Sequence, residues 1–229
     1  MSTGEAAAPD VPEMDLEDVY GHRFSDSEAR AKNLMWREIC RFLQREIDPA
    51  GAVLDLACDR GDFIRNIAAG EKWASDVRDV SQHLPSDVRF VRCDGLRLAE
   101  HVPTDHFDVV FMSNYLEHLP SSDVVVEQMR AVAEVLRPGG AMIVLQPNIR
   151  LVGGRYWDFI DHKVALTDAS LTEAAELAGL RPRTLIKRFL PYTTKARLPT
   201  RPALVRAYLK VRPAWLLLGK QTLLVAEKP

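Results

Sequence analysis

The chain has 229 residues, of which 47% are hydrophobic and 27% are charged, and its formal net charge is −2. This composition is typical of a globular protein, and the length is enough for one α/β domain with additions. No apolar run approaches the roughly 20 residues that a membrane span needs, and residues 1–20 lack the basic and apolar segments of a secretory signal.

The cysteines and the charge distribution indicate where the protein works and what it contacts. Cys40, Cys58 and Cys93 are scattered without metal-ligand spacing, which favours a reducing, cytoplasmic compartment. Residues 1–20 carry six acidic side chains and no Lys or Arg, whereas residues 181–220 carry eleven basic side chains and no acidic one. We expect a disordered acidic tail over 1–20. Over 181–220 we expect either a solvated basic face or a surface for an acidic partner: a nucleotide-sugar, a phospholipid-linked substrate, or the anionic inner face of a membrane.

The first predicted elements are a helix and a strand. Residues 25–28 form a capping-box pattern that opens a helix, and residues 48–51 end it. Residues 53–56 are a short apolar run containing one acid, which predicts a buried parallel strand, and helical spacing follows from Phe63. A strand that leads through a short turn into a helix begins a doubly wound α/β domain, in which ligands bind outside the carboxyl ends of the strands. The turn at 57–61 is therefore the predicted floor of a cofactor pocket.

The residues of this turn argue against a dinucleotide cofactor. The dinucleotide fingerprint requires glycines at three positions, where this chain has Ala57, Asp59 and Asp62. Two carboxylates would repel a pyrophosphate, and the missing glycines would hold the backbone away from it. An acid-rich turn instead suits a cationic ligand without phosphate, such as S-adenosylmethionine, which carries a sulfonium and an ammonium group.

Acidic residues also follow the next two predicted strands. Residues 72–76 predict a short strand that ends at Asp76, which suits bidentate hydrogen bonding to a ribose diol or, alternatively, a cap on the next turn. Residues 88–92 predict a third strand, and Asp94 after it suits either an adenine amino group or an ordinary Asx turn. Further strands are predicted over 107–113, 141–145, 183–190 and 221–226.

The order of these motifs resembles the class I S-adenosylmethionine-dependent methyltransferases. The resemblance covers residues 35–190 and rests on Val-Leu-Asp-Leu at 53–56, the terminal Asp76, Cys-Asp-Gly at 93–95, Phe-Asp-Val-Val at 107–110, Glu-His-Leu at 117–119 and Val-Leu-Arg-Pro-Gly-Gly at 135–140. It implies a doubly wound, Rossmann-like α/β fold with a seven-stranded sheet, helices on both faces and an antiparallel last strand. A basic insertion precedes that last strand.

The resemblance also implies an S-adenosylmethionine site. In the family, the residues of the first motif face the methionyl part, the residue matching Asp76 holds the ribose hydroxyls, and the residue matching Asp94 contacts adenine. The cofactor-binding residues implied in this way are Asp55, Ala57, Asp59, Gly61, Asp76, Asp94, Gly95 and Ser113. The chain departs from the family at Ala57 and Asp59, which replace glycines in a turn that can require φ > 0. Asp tolerates that conformation better than most residues, and its charge suits the cofactor ammonium.

The substrate is predicted to bind at the loop over residues 149–167, which concentrates Arg, Tyr, Trp, Asp and His at the carboxyl edge of the sheet. The candidate substrate-binding residues are Arg155, Tyr156, Trp157, Arg188, Tyr192 and Lys195. The insertion over 191–220 is longer than a hairpin needs, and its apolar face suits a lid helix, a membrane-surface element or a homodimer contact. These features are assigned to a single domain over residues 21–229.

Transfer of a methyl group to a hydroxyl is helped by a nearby general base. His162 is the first candidate because its neutral form is available near pH 7, and Asp161 would orient it or replace it. His118 is the second candidate. Glu117 and Asp161 stand beside these histidines, but no dedicated metal-ligand spacing is present, so no metal is predicted.

The predicted function is O-methylation of a small molecule or a glycan, and two alternatives stay open. Leu-Gln-Pro-Asn-Ile-Arg at 145–150 and Gly-Gly-x-Tyr-Trp-Asp-Phe-x-Asp-His at 153–162 resemble a bacterial subgroup associated with polysaccharide or glycan biosynthesis. The alternatives are N-methylation of an amino sugar and a catalytically silent binding module. A nucleic-acid substrate is disfavoured because residues 113–116 replace the Asn/Asp-Pro-Pro-Tyr/Phe motif of amino methylation.

Overall fold

The computed structural model describes residues 26–192 and 202–229, with side chains described from residue 32 onward. The tail predicted over 1–20 and the substrate candidate Lys195 lie outside the described residues. The helices are α1 (Asp26–Leu43), α2 (Asp62–Asn66), α3 (Ser122–Val135), α4 (Ile149–Val152), α5 (Asp168–Leu177), α6 (Pro202–Lys210) and α7 (Arg212–Leu218). The strands are β1 (Ala52–Leu56), β2 (Glu71–Asp76), β3 (Val88–Arg92), β4 (Phe107–Ser113), β5 (Leu136–Pro147), β6 (Arg181–Ile186) and β7 (Gln221–Glu227).

The strands form one seven-stranded sheet in the order β3-β2-β1-β4-β5-β7-β6. Neighbours among the first five strands run parallel, and β7 is antiparallel to both β5 and β6. This is the Rossmann-like sheet with an antiparallel last strand that the sequence predicted, so the fold prediction is confirmed. The direction of strand order reverses between β1 and β4, and such a switch point is where open α/β sheets bind their ligands.

Side chains alternate across the central strands and bury one apolar cluster on each face of the sheet. In β1, Leu54 and Leu56 belong to one cluster and Val53 belongs to the other. In β4, Val110 and Phe111 divide between the two clusters in the same way. Because both faces are covered, these strands have nearly continuous apolar sequences.

Two strand boundaries differ from the prediction by four residues or more, and other strand ends differ by at most two. β5 begins at Leu136 rather than at residue 141, because Leu136 pairs with Phe107 of β4 ahead of a bulge. β6 ends at Ile186 rather than at residue 190, and its last pair with β7 joins Ile186 to Leu223. In both cases the neighbouring strand determines where pairing begins or ends, and a strand's own sequence does not contain that information.

The segment before β7 folds into α6 and α7, which pack against α1. Arg206 of α6 donates two hydrogen bonds to Glu38 of α1, at 2.9 and 2.8 Å. Trp215 of α7 is buried, with its ring 5.6 Å from that of Phe42 in α1 and its indole N–H donating to the main-chain oxygen of Tyr208. The helix predicted in this insertion is therefore present. Among the described residues, no helix combines the length and the apolar character that crossing a bilayer requires.

Candidate active site

The turn between β1 and α2 has the left-handed backbone angles that glycines usually provide. Its φ angles are 56° at Ala57, 49° at Asp59 and 69° at Gly61. A Cβ on Gly61 would lie 2.3 Å from Leu84 Cδ2, so this position needs glycine for space as well as for conformation. Ala57 and Asp59 adopt the same region at a cost on the order of 1 kcal/mol each. The backbone of the turn therefore has the conformation of a glycine-rich turn, although only one of these three residues is a glycine.

Asp55 lies in β1 just before this turn. It is buried, and its Oδ2 accepts a hydrogen bond from the amide of Ile64 at 3.3 Å. Burial raises the pKa of Asp55 well above its ordinary value, although the Ile64 amide favours the charged form. The carboxyl group therefore ties the first turn of α2 to the end of β1.

Asp76, at the end of β2, is buried and accepts hydrogen bonds on both carboxylate oxygens. Its Oδ2 accepts from the amide of Asp59 at 3.1 Å and from Arg78 Nη2 at 3.2 Å. Its Oδ1 accepts from the amide and from Nε of Arg78, at 3.0 and 3.1 Å. The guanidinium of Arg78 thus uses the acceptor positions that the prediction assigned to a ribose diol.

The carboxylate of Asp59 contacts two basic side chains, Arg78 and Lys32. Its Oδ1 accepts from Arg78 Nη2 at 3.2 Å, and its Oδ2 accepts from Lys32 Nζ at 3.5 Å. Lys32 also pairs with Asp62, at 3.1 Å. Burial opposes ionisation of Asp59, but Lys32 and Arg78 outweigh it and lower the pKa of this carboxyl group. The acidic turn is therefore partly neutralised by cations of the chain itself.

The predicted adenine side follows β3. Asp94 Oδ1 accepts a hydrogen bond from the amide of Leu96 at 2.9 Å, which is the Asx-type cap that the sequence left as an alternative. A Cβ on Gly95 would lie 2.8 Å from the Tyr115 hydroxyl oxygen and 2.4 Å from Gln128 Oε1. The cap uses one oxygen of Asp94, and contact of the other oxygen with adenine stays a prediction.

A second cluster of polar side chains lies beyond the end of β4. Ser113, which ends β4, is half-buried and accepts a hydrogen bond from the adjacent Asn114 side chain at 2.9 Å. Glu117 and His118 follow in a 3-10 turn, and His162 comes from the loop after β5. Potential ligand atoms of Glu117, His118 and His162 all lie within 4.8 Å of one another. The two histidines that the sequence offered as separate candidate bases therefore belong to one cluster.

Glu117 is the most deeply buried member of this cluster, with 1% of its surface exposed. Its Oε2 accepts from Gln146 Nε2 at 2.9 Å, and its Oε1 lies 4.0 Å from His162 Nε2. Burial raises the pKa of Glu117. The main-chain oxygen of Glu117 accepts from the amides of Lys163 and Val164, at 2.8 and 3.1 Å, and these bonds hold the loop after β5 against the end of β4.

Asp161 orients His118. The Nδ1 of His118 lies 3.1 Å from the main-chain oxygen of Asp161 and 3.5 Å from its Oδ2. Because both partners are acceptors, Nδ1 carries the proton of the neutral ring and Nε2 keeps the lone pair. The side chain of His118 is 22% exposed, whereas that of His162 is 5% exposed and packs on the rings of Tyr156 and Phe159. His118 is therefore the more accessible of the two histidines.

The predicted substrate residues differ in their exposure. Arg155 and Trp157 are exposed on the loop after β5, whereas Tyr156 between them is fully buried and its hydroxyl donates to a main-chain oxygen. Arg188 is half-buried and donates to a main-chain oxygen before β7, at 3.4 Å. Tyr192 is half-buried, and burial raises its pKa to about 12. The roles of these residues toward a substrate stay predictions.

Three residues of the site, Arg78, Lys32 and Gln146, were not among the predicted site residues. Arg78 carried a usable signal, because a long basic side chain two residues after an acid at a strand end can fold back onto it. Lys32 and Gln146 lie far along the chain from their partners, Asp59 and Glu117. No local pattern indicates such long-range contacts.

Known proteins resemble this chain in both sequence and fold. The sequence profile described as "Methyltransferase domain" matches residues 27–194. The S-adenosylmethionine-dependent methyltransferase of Archaeoglobus fulgidus superposes with a TM-score of 0.61 at 17% identity, covering 93% of this chain and 100% of that one. A chain of the complex between the Haloferax volcanii activator Trm112 and its methyltransferase partner gives a TM-score of 0.61 at 17% identity, covering 89% and 95%. At these identities the structural likeness shows the fold alone.

A curated relative is the ubiquinone/menaquinone biosynthesis C-methyltransferase UbiE of Burkholderia mallei. It is 29% identical over 116 residues, which cover 45% of this chain and 46% of the relative. The matched region thus spans about half the length of this curated relative. The fold and the site together define the class of S-adenosylmethionine-dependent methyltransferases. Because the family profile extends over well more than half of its length, the chain belongs to the methyltransferase domain family.

The described residues fit the cofactor of this class, S-adenosylmethionine. Asp76 is the last residue of β2, Asp94 follows the neighbouring strand β3, and the left-handed turn follows β1 at the same edge of the sheet. Asp76 and Asp59 are carboxylates, which suit the hydroxyl and cationic groups of this cofactor, and their contacts with it stay predictions. Arg78 has to leave Asp76 before a ribose diol can take both of its oxygens.

Proposed function

We propose that this chain transfers the methyl group of S-adenosylmethionine to a hydroxyl of a small molecule or glycan. The observation that carries the proposal is the position of the cluster of Glu117, His118 and His162, with Asp161 bonded to His118. β1 and β4 are adjacent parallel strands, and Leu56 pairs with Met112 at their carboxyl ends. The cofactor turn begins directly after β1 and the cluster begins shortly after β4, so both lie at the same edge of the sheet.

Bound S-adenosylmethionine supplies a methyl group on a sulfonium, which is a good leaving group, so the protein mainly contributes alignment and removal of a proton. We assign the proton acceptor to Nε2 of His118, because it keeps a lone pair and its ring is the more accessible. Asp161 fixes the orientation of that ring. The ring of His162, the first candidate from sequence, lies 5.1 Å from that of His118 and is more deeply buried.

A carbon acceptor is the second candidate function. It is favoured by the similarity to UbiE, which its name describes as a C-methyltransferase. Removal of a phenolic proton would activate either the oxygen or a ring carbon, so the same base serves both reactions. Nuclear magnetic resonance of the methylated product decides between them, because an O-methyl and a C-methyl group have distinct chemical shifts. N-methylation of an amino sugar would give a third product in the same assay.

We also propose that the acceptor is anionic or lipid-linked and reaches the site over α7. Leu216 and Leu217 are 68% and 82% exposed, and Arg212 and Lys220 flank them. Exposed leucines between basic side chains suit an anionic membrane surface. The wild-type protein should sediment with anionic vesicles, whereas Leu217→Glu should stay in the supernatant. Equal sedimentation of the two proteins would remove this part of the proposal.

The catalytic assignment is tested with labelled S-adenosylmethionine and a panel of hydroxyl, phenolic and amino acceptors. His118→Ala should lower turnover by about 100-fold or more, because general-base catalysis is lost, while the Kd of the cofactor changes little. His106→Ala is the matched control, since this histidine pairs with Glu71 elsewhere on the sheet. Wild-type turnover in His118→Ala would remove His118 as the base.

A further inference from the structure

The Glu117 cluster has the composition of a metal-binding site. One carboxylate and two imidazoles offer ligand atoms that lie within 4.8 Å of one another. This combination of two histidines and one carboxylate is a common ligand set for catalytic zinc, which keeps a further position open for water or substrate. One pair of these atoms, Glu117 Oε1 and His162 Nε2, is 4.0 Å apart. Atoms bound tetrahedrally to one Zn²⁺ lie about 3.4 Å apart, so small side-chain movements would complete the site.

The surroundings of the three side chains also match those of bound ligands. Metal-binding histidines usually donate their other ring N–H to a carboxylate or a main-chain oxygen, and His118 does so to Asp161. Gln146 holds Oε2 of Glu117 and leaves Oε1 on the side of His162. Outer hydrogen bonds of this kind fix the ligand atoms before a metal arrives.

A separate observation concerns the amide oxygen of Gln146. This atom is buried and accepts no hydrogen bond from any residue in the described part of the chain. A buried amide oxygen without a donor is costly, by about 1–3 kcal/mol. The Nε2 of the same amide donates to Glu117, so this unsatisfied oxygen belongs to a side chain that contacts the cluster.

We infer that Glu117, His118 and His162 bind a divalent transition-metal ion of the Zn²⁺ type. The binding itself is independent of methyl transfer, whereas its chemical consequence rests on the proposed function. A hydroxyl coordinated to such an ion is more acidic, so the ion would replace His118 as the activating group and the proton would pass to solvent. The cluster would then work as a base in the free protein and as a Lewis-acid site in the metal-bound protein.

The test is metal binding to chelator-treated protein in the absence of cofactor and acceptor. Zn²⁺ is titrated by calorimetry, and Co²⁺ is followed by its visible absorption, which reports coordination geometry. We expect one equivalent of metal to bind to the wild type. Its affinity should fall by at least about 10-fold in Glu117→Gln and in His118→Gln. His106→Ala should bind like the wild type, because His106 pairs with Glu71 at the amino ends of β4 and β2, away from the cluster. Thermal unfolding without metal verifies that each variant is folded. If Glu117→Gln does not fold, His118→Gln still tests the site, because the ring of His118 is partly exposed.

Three results would overturn the inference. The first is the absence of stoichiometric binding to the wild type. The second is unchanged affinity in both Glu117→Gln and His118→Gln. The third is a Co²⁺ spectrum with thiolate charge-transfer bands, which would assign the ion to the buried Cys40, Cys58 or Cys93. None of these results bears on cofactor binding, so the methyltransferase proposal would survive failure of the metal site.

Discussion

Individual residues of the cofactor turn show where this chain departs from its family and how the fold accommodates the change. Ala57 and Asp59 hold left-handed angles that a glycine would adopt without strain. The family resemblance made these two positions visible in the sequence, and it correctly suggested positive φ. It did not indicate that Asp59 binds Lys32 and Arg78, because those contacts depend on the approach of α1 and on the residues after β2.

Strain at Ala57 gives the first prediction. Ala57→Gly should increase the free energy of unfolding by about 1 kcal/mol, since the φ of 56° is unfavourable for alanine and ordinary for glycine. The measurement is urea unfolding followed by circular dichroism. The matched control is Ala131→Gly in the middle of α3, which should lower stability by about 1 kcal/mol. A loss of stability in Ala57→Gly as large as in the control would contradict the assignment of strain.

Competition at Asp76 gives the second prediction. Arg78→Ala should tighten S-adenosylmethionine binding by about 10-fold, because the variant removes the donors that now occupy both oxygens of Asp76. Calorimetry on the two proteins measures the change. Arg92→Ala is the control, because Arg92 is an exposed neighbour whose Nε donates to the main-chain oxygen of Val77. Equal or weaker binding in Arg78→Ala would show that the guanidinium does not compete with the cofactor.

At the scale of secondary-structure elements, the sequence predicted which strands form better than it predicted where they begin and end. β3 and β4 occupy the predicted residues, because each is a compact apolar or alternating run bounded by turn residues. β5 and β6 differ at their ends, because pairing across a bulge and against β7 determines those ends. The Glu117 cluster shows the same limit, since it joins two loops whose contact follows from the sheet order.

The contact between α1 and α6 predicts a specific pH dependence. Hydrogen bonds from Arg206, with a further bond from Arg41, lower the pKa of Glu38 from 4.5 to about 2. The folded state therefore favours the carboxylate, and its contribution to stability is complete above the ordinary pKa. That contribution is lost as the pH falls from about 4.5 towards 2.

Glu38→Gln is the variant that tests this dependence. It should be less stable than the wild type at pH 6, and the difference in unfolding free energy should shrink as the pH falls below about 4.5. Chemical unfolding at a series of pH values measures the difference. Glu127→Gln is the control, since this residue forms an exposed pair with Arg130 and should show little difference at any pH. A Glu38→Gln deficit that does not change down to pH 2 would exclude the ion pair as its cause.

At the scale of the whole molecule, the sheet order brings the cofactor turn and the Glu117 cluster to one edge. The family resemblance predicted the sheet topology and the position of the cofactor turn, but not that Glu117, His118 and His162 form one cluster. The acceptor could not be predicted in the same way. The surface proposed for it combines the loop after β5 with the insertion before β7, and the positions of their side chains are set by tertiary contacts rather than by a shared motif.

The central claim is that S-adenosylmethionine binds over the turn after β1 with its ribose on Asp76. Isothermal titration of S-adenosylmethionine into the wild type and into Asp76→Asn tests it most directly, with the exposed Asp79→Asn as the control. We predict one saturable site whose affinity falls by about 10- to 100-fold in Asp76→Asn, as expected for the loss of a charged acceptor, and is unchanged in Asp79→Asn. No binding to the wild type at millimolar cofactor, or equal affinity in Asp76→Asn, would contradict the claim.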